Sequence, residues 1–223
     1  TREYISIIRQ VMAREGPVMN SGPHYPIPYP ADAPGSWGLG KALKPITHPL
    51  RSNVPIFLGA EGPKNVALAA EVCDGWYPLF YSPFREEVYR DSIAGRPEGF
   101  EILCPVHIHV TDDLEAGRLE VKQNIALYVG GMGSRDRNFH NKLISRMGFG
   151  DAAKRIQDLY LDRQKTAAVA AVPDDLVDEV SLVGPKEMIR QRLAAWEDSA
   201  VTGLLVWPKT TDDIATFAEL VLN

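Results

Sequence analysis

Seven consecutive residues carry the strongest chemical signal in the chain: Gly59, Ala60, Glu61, Gly62, Pro63, Lys64 and Asn65, set between a short apolar run and an amphipathic segment. A strand, a glycine turn and a helix start in that order bring main-chain N–H groups and the positive end of a helix dipole to an anion. Gly59 and Gly62 let the backbone approach a phosphate, Pro63 suits a first helical position that needs no N–H, and Lys64 adds charge. The loop is neither a Walker A sequence nor GxGxxG, so an ordinary tight turn is the competing reading. His107 and His109 lie two apart on an expected strand and share a face, but no third ligand is evident and no metal site is expected. They read as structural histidines, or one of them as lining a pocket. His140 follows the glycine-rich stretch from residue 130, either a lid or helix packing. The aspartate pairs at 112 and 113, 174 and 175, and 212 and 213 precede apolar helical patterns and read as caps. No nucleophile with a neighbouring base and no glycosidase-like carboxylate pair is present, so any catalysis would rest on a bound cofactor.

The elements that must position these residues follow from periodicity. Tyr4, Ile5, Ile8, Val11 and Met12 mark an opening helix, so abrupt that something is expected to precede Thr1. Prolines at 17, 23, 26, 28, 30 and 34 impose a long loop, possible hairpin included. Lys41, Lys44 and Arg51 make the next stretch cationic, with no acidic residue between Asp32 and Glu61. Strands are expected at 54–58, 76–81, 100–110 and 203–207, with helices after each, one of them over 82–93. Met188, Ile189, Leu193 and Trp196 should face inward on a helix that starts at 184–186 after no strong strand, and Ile214, Phe217 and Val221 on the last. This alternation fits a doubly wound sheet or a (β/α)8 barrel. Four strands amount to half a barrel, lengthened by insertions near 17–53 and 130–181, in a single domain over 1–223.

Composition bounds the function. With 223 residues, 45% of them hydrophobic, the chain can bury a core unaided. Its net charge of -5 offers no general attraction to nucleic acid or anionic lipid, and no apolar run approaches the ~20 residues of a membrane span. Cys73 and Cys104 form no CxxC pair and read as buried thiols in a reducing, cytoplasmic setting. A small-molecule partner is the expectation.

Residues 54–71, Val-Pro-Ile-Phe-Leu-Gly-Ala-Glu-Gly-Pro-Lys-Asn-Val-Ala-Leu-Ala-Ala-Glu, running into Asp74, Gly75 and Trp76, closely resemble the central signature of the luciferase-like monooxygenase superfamily, in particular its coenzyme F420-dependent branch. Tyr128 to Arg135, Arg146 to Gly150, and Ala170 to Pro185 add to the likeness, which covers the carboxy-terminal two-thirds of such a protein. The resemblance implies a TIM-type barrel represented by its last four strands, and an oxidoreductase moving a hydride between coenzyme F420, or FMN, and an organic substrate. It implies that Gly59, Ala60, Glu61, Gly62 and Asn65 hold the cofactor phosphate and, more weakly, that Tyr77 and Phe80 lie near the ring and substrate; His107, from its place on the expected strand, is the other weak candidate for that pocket. A homo-oligomer is expected. The rival reading is a non-catalytic or truncated relative that binds a phosphate compound without turnover; a barrel isomerase or aldolase would need a placed lysine or acid that does not stand out.

Overall fold

The computed structural model describes residues 1–222. Its strands are β1 (Phe57–Gly59), β2 (Gly75–Tyr77), β3 (Glu101–Val110), β4 (Leu182–Gly184) and β5 (Gly203–Pro208). Its helices are α1 (Arg2–Ala13), α2 (Pro63–Val72), α3 (Arg90–Ile93), α4 (Leu114–Ala126), α5 (Phe139–Ile144), α6 (Gly150–Leu161), α7 (Lys165–Ala170), α8 (Asp174–Val180), α9 (Lys186–Glu197) and α10 (Thr211–Leu222). Every strand pair is parallel: β1 with β2, β2 with the start of β3, and β3 with both β4 and β5. Helices supply the crossovers that parallel strands require.

The sequence suggests four strands, and the described residues form five. The additional one, β4, spans three residues between two helices, too few for alternation to register. The start of α9 therefore does follow a strand. β1 and β2 are also shorter than their apolar runs. The helix expected over 82–93 is instead a single 3-10 turn, Glu86–Val88, and the four-residue α3. The Glu86 side chain ties that turn to the rest of the core, its Oε1 accepting from the Tyr81 hydroxyl and from Ala200 N at 2.7 Å.

β3 is the spine of the sheet. Glu101 N donates to Asp74 O at 3.1 Å and Thr111 N to Gly184 O at 3.0 Å on one edge, while Ile102 O accepts from Thr202 N at 3.0 Å on the other. Odd-numbered residues thus address β2 and β4, and Pro105 falls in the gap between those two strands, where no ladder bond is asked of its missing N–H. Partners in register share a face, so Leu58, Trp76 and Ile102 point the same way. That face continues through Cys104, Val106 and Ile108, all buried in the core with Trp76. The opposite face carries Phe57, Tyr77 and His107, half-buried, and Leu205 and Trp207, exposed.

Around the sheet, α1 is pinned to α2 and β2 by Arg2 on Glu71 and by Arg9 on Asp74 and Val72 O. The segment over 17–53 holds only two isolated antiparallel bridges, Val18 to Leu43 and Asn20 to Ile27, and leaves Trp37, Ile46 and Leu50 exposed. Asp113 caps α4 as expected, accepting from Ala116 N. Asp213 and Thr210 exchange bonds in a capping box at α10. Asp174 does not cap; it pairs with Lys122 and Arg118. The apolar stripe of α10 is inward only in part: Phe217 packs partly buried against the core, whereas Ile214 and Val221 are exposed and Asp213 is the fully buried residue among those described in that helix. Among the described residues, no helix is long and apolar enough to cross a membrane, and no cluster of three His, Cys, Asp or Glu could hold a metal.

Candidate functional site

The turn after β1 is shaped by contacts from three directions. Trp76 Nε1 donates to Ala60 O at 2.8 Å, and Arg146 Nη2 to Glu61 O at 2.8 Å. Glu61 folds its side chain back beneath the turn, where Oε1 accepts from Leu79 N at 2.7 Å. Both of these carbonyls are tied down, and the N–H groups of the same two peptides, at Glu61 and Gly62, together with that of Lys64, have no hydrogen-bond partner among the described residues. Asn65 differs, because its N–H closes the first turn of α2 on Gly62 O at 3.0 Å. Its exposed side chain remains available. Gly62 sits in extended conformation ahead of Pro63, and a Cβ there would meet only Phe139 Cδ1 at 3.9 Å. The turn thus presents three free donors at a helix N-terminus, a geometry matched to an anion.

Glu61 is the unusual member. It is 9% exposed, and Oε2 is buried without a hydrogen-bond partner among the described residues. Burial pushes its carboxyl up to about 8, against the opposing pull of Leu79 N–H and Arg146.

Leu79 leads into Phe80, which adopts a left-handed φ of 60°, a strained conformation for a bulky residue. Phe80 is buried edge-on against Tyr128 and His140, with centroids at 5.6 and 6.0 Å. Tyr128 lies in a π-helical turn, Leu127–Gly131, and Arg146 in a second, Ser145–Phe149; such turns flank α5 on both sides. Asn138 ties the first of them to α5 by donating to Tyr128 O and Val129 O. Gly130 and Gly131 do not act as hinges: a Cβ at either would lie 2.5 Å from Tyr160 atoms, so the glycines permit close packing. Helix packing is the role of this stretch and of His140.

His107 lies elsewhere. With Trp207, Glu120 and Lys209 it lines a cavity of about 650 Å³ at the carboxyl ends of β3 and β5. Its ring meets Trp207 edge-on at 5.0 Å, its Nε2 is buried without a partner among the described residues, and burial lowers its pKa. Tyr77 shares the sheet face of His107. Two to three strand spacings, on the order of 10–15 Å, separate the turn from this cavity along the sheet. Arg146 and the side chain of Glu61 are the residues that sequence reasoning did not assign. The only signal for Arg146 was its place in the run from Arg146 to Gly150 that adds to the family likeness.

The chain is a parallel α/β sheet whose carboxyl strand ends carry unpartnered main-chain donors and a cavity, the rim at which folds of this class hold their sites. The chain belongs to the luciferase-like monooxygenase family, whose model matches residues 1–203. It is 46% identical over 230 residues to a Mycobacterium tuberculosis protein named "Putative coenzyme F420-dependent oxidoreductase", covering 99% of this chain and 66% of that protein. Among solved structures, the coenzyme F420 dependent tetrahydromethanopterin reductase from Methanopyrus kandleri matches with a TM-score of 0.69 at 21% identity, over 99% of this chain and 60% of that one. An F420-dependent secondary alcohol dehydrogenase in complex with an F420-acetone adduct matches at 0.58 and 15%, over 99% and 59%. At such identities the two structures establish likeness of fold. The chain spans slightly under two-thirds of the length of these relatives.

Proposed function

We propose that this chain forms the cofactor-phosphate half of an F420-dependent oxidoreductase, with FMN as the alternative cofactor. The observation that carries the reading is the trio of free N–H groups at Glu61, Gly62 and Lys64, on a turn whose carbonyls are held by Trp76 and Arg146. The 46% identical relative supports the choice of F420. The fit is steric as well as polar, since nothing but Phe139 approaches the Cβ position of Gly62. Gly59, Ala60, Glu61 and Gly62 would hold the phosphate through main-chain groups, and Asn65 through its side chain. When bound, the deazaflavin supplies hydride chemistry. The chain's own part is to anchor, orient and exclude water. The cavity beside His107 would receive the ring or the organic substrate, with Tyr77 on the same face and a neutral His107 as a hydrogen-bonding group; Phe80, buried against Tyr128 and His140 away from that cavity, would act only by shaping the segment that follows Leu79.

Titrating the complete protein with coenzyme F420 and with FMN, followed by absorbance and fluorescence, tests the reading. Tight binding of one of them with reversible reduction by a substrate supports an oxidoreductase. Binding of phosphate compounds without turnover supports the non-catalytic alternative, and no binding of either removes the reading.

A further inference from the structure

We infer that the Glu61 carboxyl is a positioning residue that gates the turn: in its protonated form an anion can occupy the N–H groups of Glu61, Gly62 and Lys64, and in its ionised form it cannot. This rests on the proposed reading of the turn as an anion site. Glu61 contributes an N–H to the site and a carboxyl behind it, so the two ends of one residue address the two sides of the turn. Oε1 is committed to Leu79 N–H, while Oε2 is buried and unpartnered among the described residues.

The groups around that carboxyl leave little to neutralise a charge on it. Arg146 touches Glu61 O and, among the described residues, is the one cation acting on the carboxyl. Tyr89, at the edge of α3, has a buried, unpartnered hydroxyl, and Cys104 on β3 is a buried thiol; burial pushes both away from ionising. Tyr81 is stacked on Tyr89 at 4.9 Å and is likewise held neutral, by burial and by its bond to Glu86. Lys64, on the turn itself, is exposed. An ionised Glu61 and a bound anion would therefore face each other across the turn with only Arg146 beside the carboxyl to offset the charge, in surroundings of low dielectric where like charges repel strongly. Binding then requires a proton on Glu61. By reciprocity, the bound anion must make that proton harder to remove.

The test uses the complete protein and methyl phosphate, a monoester whose second ionisation, near pH 6, lies below the relevant window. Calorimetric affinity of the natural protein should be constant up to about pH 8 and then fall, by up to tenfold for each further pH unit. In Glu61→Gln, which keeps an acceptor for Leu79 N–H and cannot ionise, affinity should be flat over the same range. Carbon-13 NMR of labelled glutamate carboxyls should show one group titrating near 8, absent from the Gln variant, whose midpoint rises on saturation with methyl phosphate. Parallel pH profiles in the two proteins, or a midpoint indifferent to ligand, would overturn the gate while leaving the site. Absence of methyl phosphate binding at any pH in both proteins would overturn the site reading and the gate with it. Should the Gln variant not fold, the ligand-dependent midpoint in the natural protein decides alone.

Discussion

Arg146 and Glu61 lie 85 positions apart in sequence and meet through a 2.8 Å bond from guanidinium Nη2 to main-chain carbonyl. That contact joins the excursion after β3 to the turn after β1, and it places a cation at the rim where free donors gather. Replacing Arg146 with Met should weaken coenzyme F420 binding by tenfold or more, equivalent to about 1.4 kcal/mol. Lys at this position should recover only part of the loss, since it lacks the planar fork. Fluorescence titration of the three proteins measures this, and equal affinities would remove Arg146 from the site.

Gly62→Val separates site from scaffold. The position is extended, with φ of -81°, and a Cβ there meets no atom closer than 3.9 Å, so the substitution should leave the fold intact. The added branches would occupy the space above the free N–H groups. Cofactor affinity should fall at least tenfold with unchanged circular dichroism and melting temperature. Full affinity in a folded variant would show that no phosphate approaches this turn.

The parts of the site that the sequence displayed are those contiguous along it. Residues 54–71 hold the strand, the glycine turn and the Pro63 helix start in one run, and the structure forms all three there. β4 escaped because three residues cannot show a period, and its pairing with residues 108–110 of β3 is fixed by a distant part of the chain. Pattern also misled at α10, where Ile214 and Val221 follow helical spacing yet face outward, while Asp213 turns in to satisfy the end of β3. The carboxyl of Glu61 was unreadable for a related reason. Its environment is assembled from Leu79, Tyr89, Cys104 and Arg146, and no local window contains them all.

Asp213 offers a test of how the last helix is anchored. Its Oδ1 accepts from Val110 N and its Oδ2 from Thr210 N, both at 2.7 Å, with His109 Nδ1 at 3.3 Å. Burial alone would raise this carboxyl, but those N–H groups, with Thr210 and His109, hold it below the usual aspartate range. The stabilisation is present above the ordinary value of 3.8 and lost as pH falls through the lower folded value. Asp213→Ala should therefore cost about 2–4 kcal/mol at neutral pH and make stability less sensitive to acid. Urea unfolding of both proteins at neutral and acid pH checks each part.

Glu61 should shape stability in a different window and with the opposite sign. In the unfolded chain its carboxyl releases a proton near 4.5, whereas in the folded protein burial holds that proton until about 8. Between these values the folded state carries more protons than the unfolded one, so this residue's contribution declines as pH rises from about 4.5 and levels off above about 8. The penalty at the upper end is on the order of a few kcal/mol. Glu61→Gln has no proton to lose, so its unfolding free energy should exceed that of the natural protein by a margin that grows between about pH 5 and about pH 8 and then holds constant. Asp213 acts only below this range, so the two contributions separate on the pH axis. Chemical denaturation across the window decides the matter: a margin that does not change with pH would mean that Glu61 ionises in place at little cost, and the charge-exclusion argument for its control of the turn would fail with it.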